Sequence, residues 1–315
     1  MRHTATRTVA IAALLIAAAL ARPAAAAKGW TENVAEAQAR AAKEGKDLLM
    51  DFTGSDWCGW CIRLKREVFS QEPFATEAPK KFVFVMLDFP RRRKMPAAVK
   101  KQNAEWRDKF GVRGYPTIML ADAKGRPYAK TGYRRGGAGK YMAHLNELQQ
   151  VRVKRDKLFA EAGKAKGIDR AKLLDQALAD MSQAIVLSCY GETVDEIITL
   201  DPEDKAGLKS KYADARAAAK LAGTVRKIEG RVVPLLNKKD WDGALKIIDE
   251  AFADIKPVGQ AAQDLYWLKT ISLFRKDDKA AAKAALEAGI KAAPKGEKAA
   301  QMKNVLQRVF SQNRN

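Results

Sequence analysis

The sequence predicts an α/β sandwich, a central sheet flanked by helices, in its first half and an all-α region in its second. Two short apolar runs, DLLMDFT (47–53) and KFVFVMLDF (81–89), read as buried strands. Helix-like and strand-like segments alternate around them up to about residue 150, the pattern of a sheet covered by helices. Beyond residue 151 the strand-like runs stop, and Ala-, Lys- and Leu-rich helical periodicity continues to the end.

In chain order, residues 31–45 read as an amphipathic helix with Thr31 as N-cap and Gly45 as its stop. The strand 47–53 runs into GSDWCGWC, and a helical pattern follows from Cys58 to about Ser70, with Ile62, Leu64, Val68 and Phe69 available to pack inward. After the strand 81–89 come a basic loop, FPRRRKMP, and a helix from about Ala97 to Phe110. YPTIMLADAKGRPYAKTGY (115–133) reads as two strands joined by a turn at Lys124–Gly125. RRGGAG (134–139) reads as a hinge before a helix that starts near Lys140. In the second half, KKDWDGALKIIDEAF (238–252) resembles RKDDKAAAKAALEAGI (275–290), with Ala244 and Ala281 equivalent at a 37-residue offset. Ala171 lies 73 residues before Ala244, about two such periods, so the region looks loosely like tetratricopeptide helical hairpins.

The chain has 315 residues, with 58 Lys and Arg against 37 Asp and Glu. Residues 1–27 read as a signal peptide: Arg2 and Arg7 precede the apolar run VAIAALLIAAAL, and Ala25 and Ala27 fit a cleavage site. The expected mature protein is exported, most simply to a periplasm, with secretion as the other destination. It carries no later transmembrane run and divides into domains at 28–150 and 151–315. The leader holds three arginines and no acid, so the mature chain keeps 55 basic residues against 37 acidic ones. Export argues against nucleic acid as a partner, whereas that surplus suits acidic partners or anionic surfaces. Three cysteines are too few for a disulfide scaffold, so stability falls to apolar cores.

The pair Cys58–Cys61 admits three chemistries: a redox centre, half of a metal site or a structural staple. Outside the leader only Cys189 and His144 remain as soft ligands, and they lie in different predicted domains, which argues against zinc. A staple closing so short a loop constrains the unfolded chain little. Thiol–disulfide exchange suits the local structure, because Cys58 falls where a strand ends and a helix begins. Unpaired N–H groups there favour negative charge, and cysteines so placed titrate at roughly 3.5–7.5. Cys58 is therefore expected to be the exposed nucleophile, with Cys61 one turn behind it as the resolving thiol. Gly59 is read as permitting tight packing and substrate approach, and Trp57 and Trp60 either as core or as an apolar platform. Asp56 is expected to be exposed and to oppose thiolate formation, Cys189 to be a buried hydrophobe, and His144 to lie on the surface. Arg91, Arg92, Arg93 and Lys94 are read either as a solvated run or as steering an acidic client.

LLMDFTGSDWCGWC resembles the strand-to-active-site segment of the thioredoxin family, including its acidic strand residue and W-C-G-x-C core. FGVRGYPTIML (110–120) resembles the segment that carries the family's cis-proline. The resemblance covers roughly residues 30–150 and implies a thioredoxin-like sandwich with a mixed sheet. It implies Pro116 as the cis-proline, Tyr115 as substrate-facing with Trp57 beside it, and Asp51 as the buried proton-transfer acid. The chain departs from the family pattern in three places. Gly59-Trp60 replaces Gly-Pro, Asp51 stands seven residues before Cys58, one more than in thioredoxin, and 55 residues separate Cys61 from Pro116. The FPRRRKMP loop and its helix are the expected insertion.

These readings point to an exported thiol–disulfide oxidoreductase, reductase or isomerase ahead of oxidant, that exchanges disulfides with protein clients. It needs no cofactor beyond the Cys58–Cys61 pair and draws electrons from a partner such as a membrane thiol transporter. The alternative is a binding or scaffold protein whose helical domain is the working surface, the first domain being a docking module with a structural disulfide. Deleting 151–315 is expected to leave the first domain folded.

Overall fold

The computed structural model describes residues 29–310. The signal-peptide reading therefore lies outside the described residues. None of the described helices is long and apolar enough to cross a membrane.

The chain opens with β1 (Trp30–Thr31) and α1 (Val34–Glu44). Asn33, not Thr31, caps α1 by accepting the Glu36 N–H at 3.1 Å, because Thr31 is already extended in β1. Gly45 ends the helix in the left-handed conformation at φ 64°, which costs glycine little. β2 (Asp47–Thr53) is buried along its whole length and leads to α2 (Gly59–Leu64), which continues into a widened π-turn, Lys65–Phe69. Cys61, Leu64 and Val68 share the inward face of this helical segment, whereas Ile62 is 46% exposed. One residue beyond Cys61 is about 100° around a helix, so Ile62 turns away from the core it was expected to fill.

α3 (Phe74–Lys81), β3 (Phe82–Asp88) and α4 (Ala97–Lys109) follow, then β4 (Thr117–Ala121), β5 (Pro127–Thr131) and α5 (Gly137–Ala162). Half of the expected hinge at 134–139 is thus the first turn of α5, and α5 passes unbroken through residue 150. The strand order is β1-β3-β2-β4-β5. β3 runs parallel to β1 and β2, and β4 runs antiparallel to β2, so the sheet is mixed. The register sets Asp51 between Met86 and Ile118 in the middle of the sheet and Thr53 opposite Asp88 at its end. An aromatic cluster of Trp30, Phe69, Phe74, Phe84 and Tyr141, with centroids 4.9–6.5 Å apart, packs with the strands to form the core. Of these, Phe74, Phe84 and Tyr141 are buried, and each contributes about 1.5–3 kcal/mol.

Eight further α-helices complete the described chain: α6 (Gly167–Leu178), α7 (Gln183–Cys189), α8 (Gly191–Leu200), α9 (Leu208–Asn237), α10 (Trp241–Ile255), α11 (Gly259–Arg275), α12 (Lys279–Ala292) and α13 (Ala299–Val305). A short π-helical turn, Leu306–Phe310, follows α13. The chain forms two compact units. One holds residues up to Ala104 with Gly114–Gly125 and Thr131–Met142, and the other holds Glu105–Arg113, Arg126–Lys130 and Ala143 onward.

In the second unit Val225, Ile228, Val232, Ala244, Ile248 and Leu265 form one buried cluster. The turns before α10 and α12 are alike. Lys239 and Asp277 both adopt positive φ, and the next residues, Asp240 and Asp278, cap their helices by accepting the N–H of Gly243 and Ala281. These matches share an offset of 38, so the buried Ala244 corresponds to the buried Ala282, one residue beyond the Ala281 expected from sequence. Cys189 is half-buried instead of buried, its Sγ 3.8 Å from the Lys109 carbonyl, and burial pushes its thiol pKa up. His144 is also half-buried.

Candidate active site

β2 delivers the chain to Gly54, where the turn 54–57 reverses it into α2. Cys58 stands at the N-cap of α2 in extended conformation (φ −84°, ψ 104°), and its Sγ accepts the Cys61 N–H at 3.2 Å. Cys58 and Cys61 are joined as a disulfide. The two are 6% and 5% exposed, so Cys58 is not the clearly exposed member of the oxidised pair. An N-cap side chain folds back over the first turn of its helix, and this sulfur does so to reach the Cys61 N–H. The exposed features are its neighbours, Gly59 and the half-exposed Trp60. A Cβ on Gly59 would meet nothing within 4 Å, so tight packing does not explain that glycine.

Gly54 is the glycine that packing requires. A Cβ there would lie 2.5 Å from Cε2 of Trp57, whose ring covers the turn. Trp57 donates from Nε1 to the Phe89 carbonyl at 2.8 Å, stands edge-on to Tyr115 at 5.9 Å, and has the Arg91 guanidinium 3.9 Å from its ring centroid. It therefore anchors the turn as well as bordering the site. Asp56 is half-buried instead of exposed, and its carboxylate accepts the backbone N–H groups of Arg91, Arg92 and Arg93 at 2.7–3.1 Å. The Arg91 N–H leads those bonds in holding the Asp56 pKa below its ordinary value. Its charge is thus spent on ordering the basic loop. Asp88 ties the same loop from the sheet side, accepting the Ser55 N–H and hydroxyl at 2.9 and 2.6 Å and the Arg93 guanidinium at 3.1 Å. Arg93 also reaches Glu32, at 2.9 Å.

The Tyr115–Pro116 peptide bond is cis. Pro116, Tyr115, Trp60, Tyr133 and Arg135 line an open groove of about 450 Å³. Trp60 packs on Tyr133 at 5.2 Å, with the Arg63 guanidinium 5.5 and 5.4 Å from the two rings. Glu67 lies beneath them, receiving the Tyr133 hydroxyl at 2.6 Å and Arg63 Nε at 2.7 Å. The Tyr133 bond, then the Arg63 bond, holds its carboxyl below the usual range.

Asp51 is buried in β2, and its Oδ1 has no hydrogen-bond partner. Loss of hydration, with a smaller effect from the negative Asp88, raises its pKa to about 8. Asp51 is therefore mainly protonated at pH 7, inside the sheet that carries the cysteine turn.

The expected residues Cys58, Cys61, Trp57, Gly59 and Trp60 form one turn, and Trp60, Tyr115 and Pro116 share the groove. Tyr133, Glu67, Arg63 and Arg135 escaped the sequence reading, because their grouping joins segments 66 residues apart and has no local motif. Gly54 and Asp88 were missed as well, although their place at the ends of strands leading into the turn was a usable signal.

A family model of a thioredoxin-like domain matches residues 34–147. Disulfide bond reductase DsbH of Chlamydia pneumoniae is 31% identical over 131 residues, which span 42% of this chain and 79% of that protein. Thioredoxin-related protein DsbJ of the same organism is 27% identical over 103 residues, 33% of this chain and 30% of DsbJ. Among solved structures, a DsbH oxidoreductase is similar at 29% identity and a TM-score of 0.36, covering 37% of this chain and 81% of its own. With the match to the reductase DsbH extending over most of that protein, the chain belongs to the thioredoxin-like family.

Proposed function

We propose that the protein is an exported thiol–disulfide oxidoreductase that works as a reductase of protein disulfides. The observation that carries this is the Cys58–Cys61 disulfide at the start of α2, with the Cys61 N–H directed at Cys58 Sγ. That N–H stabilises negative charge on the sulfur that must attack. The reductase direction rests on the relative named a disulfide bond reductase.

In the reduced protein, the Cys58 thiolate attacks one sulfur of a client disulfide. A Cys58–client mixed disulfide forms, and the other client sulfur leaves as a thiolate that takes up a proton. Cys61 then loses its proton and attacks Cys58 Sγ, which releases the second client thiol and closes the Cys58–Cys61 disulfide. Two electrons pass from the pair to the client. Asp51 is the proposed proton acceptor for the Cys61 step in its ionised form, the minor form at pH 7 given a pKa of about 8, and it then returns that proton to the departing client sulfur. Pro116, Tyr115 and Trp57 shape the client side. Gly59 leaves space for the client chain, and Trp60 bears on the couple through its place between the cysteines.

An external dithiol, such as a membrane thiol transporter, must restore the pair. Export and a periplasmic setting are supported by the apolar run at residues 9–20 and the small residues that follow it. The matched turns before α10 and α12 support a helical-hairpin repeat in the second half, suited to holding partners. The test is insulin reduction driven by a dithiol donor, paired with equilibration of the pair against glutathione. The expected results are wild-type turnover that Cys58→Ser abolishes, and a potential closer to thioredoxin's, about −270 mV, than to that of a strong oxidant near −120 mV. Equal rates with and without Cys58 would remove the enzyme reading, and a potential near −120 mV would reverse its direction.

A further inference from the structure

We propose that the groove beside Pro116 selects acidic client segments, with a carboxylate near the target cysteine held by Arg135 and an apolar side chain resting on Trp60 and Tyr133. This deepens the thiol–disulfide reading above and rests on it. The argument begins with the charges around the groove. Glu67 is bonded to the groove residue Tyr133, and both its carboxylate oxygens are occupied, one by Arg63 and one by the Tyr133 hydroxyl. Arg63 matches that charge, so the pair presents little net field. Asp56 and Asp88 are likewise occupied, by the 91–93 backbone and by Ser55 and Arg93.

Arg135 differs from all of these. It lines the groove and is exposed, close enough to act on the Tyr133 hydroxyl, yet it forms no ion pair among the described residues. Outside the groove lining, Arg91 covers Trp57, which meets Tyr115 of the groove wall edge-on. The groove therefore has aromatic walls and one unpaired positive charge, Arg135, with Arg91 one ring further out, and the acids described above are already satisfied. A client carboxylate gains a partner there, whereas a client Lys or Arg meets uncompensated like charge. Trp60 is 51% exposed and packs on Tyr133 at a tilt of 36°, a surface that an apolar client side chain can cover.

Arg135 is solvated, so its effect belongs to encounter and positioning and must weaken in salt. The test uses reduced protein in single turnover, followed by the tryptophan fluorescence change as the pair oxidises. The probes are three short peptides, each with one cysteine in mixed disulfide with 2-mercaptoethanol and with Glu, Gln or Lys two residues from that cysteine. Hydroxyethyl disulfide, small and uncharged, is the reference oxidant. The expected order is Glu, Gln, Lys, with about five- to tenfold between the extremes at low salt and less than about twofold in 0.5 M NaCl. Arg135→Glu should invert the order, and Arg135→Gln should flatten it. Circular dichroism checks that both variants are folded.

Equal rates for the three peptides, with hydroxyethyl disulfide still oxidising the pair, would overturn acidic selection and leave the exchange reading standing. A Glu preference that survives Arg135→Glu would overturn the assignment to Arg135. Failure of every disulfide to oxidise the pair would overturn the exchange reading and this proposal with it.

Discussion

Asp51 carries the clearest pH signature in the molecule. Its folded pKa, about 8, lies far above the value near 3.9 of an unfolded aspartate. Between those values the folded chain keeps a proton that the unfolded chain has shed. Stability therefore falls as pH rises through that interval and levels off above about 8. Asp51→Asn should raise the unfolding free energy by about 2–5 kcal/mol at pH 8 and by much less at pH 4, measured in urea. An equal gain at both pH values would show that Asp51 does not titrate in this window. Gly54 makes a steric prediction. Gly54→Ala places a methyl against the Trp57 ring and should cost about 1–3 kcal/mol, with a changed tryptophan spectrum. Cys58, Cys61 and Pro116 were legible in the sequence because each sits in a compact motif with a chemical reason for its spacing. The titration of Asp51 was not, since burial and the nearby Asp88 are products of the folded sheet.

At the scale of elements, the strands were the easiest to read. DLLMDFT became β2 residue for residue, since a continuous apolar run buried along its length has little freedom in placement. Caps were harder, because Thr31 and Asn33 are both good N-caps and only the pairing of β1 with β3 decides between them. The basic loop shows why charge runs are hard to interpret. Two of its four bases have specific contacts, Arg91 with Trp57 and Arg93 with Asp88 and Glu32, and Asp56 holds its backbone. Asp56→Ala should leave α2 in place but free the Arg91–Arg93 amides. Hydrogen exchange at those amides should accelerate by an order of magnitude or more, and unchanged protection would contradict the clamp.

At the scale of the whole molecule, the structure argues against treating residue 150 as a clean cut. Arg155 is buried and donates to the Tyr190 hydroxyl at 2.6 Å, which in turn donates to the Pro127 carbonyl at 2.8 Å at the start of β5. The Arg155 guanidinium also lies 6.0 Å from the Tyr128 ring. A chain ending at residue 150 loses both Arg155 and Tyr190 and leaves β5 with uncovered polar and aromatic groups. It should melt well below the full chain or without a cooperative transition, and a cooperative melt within about 5 °C of the full chain would restore the clean division. The central claim is nevertheless about two sulfur atoms, and thiol trapping tests it most directly. With Cys61→Ser expressed in a cell that exports it, Cys58 should collect client proteins as mixed disulfides that a reductant releases, and Cys58→Ser should collect none. Absence of adducts from both variants, or equal adducts from both, would contradict an exchange centre at Cys58–Cys61.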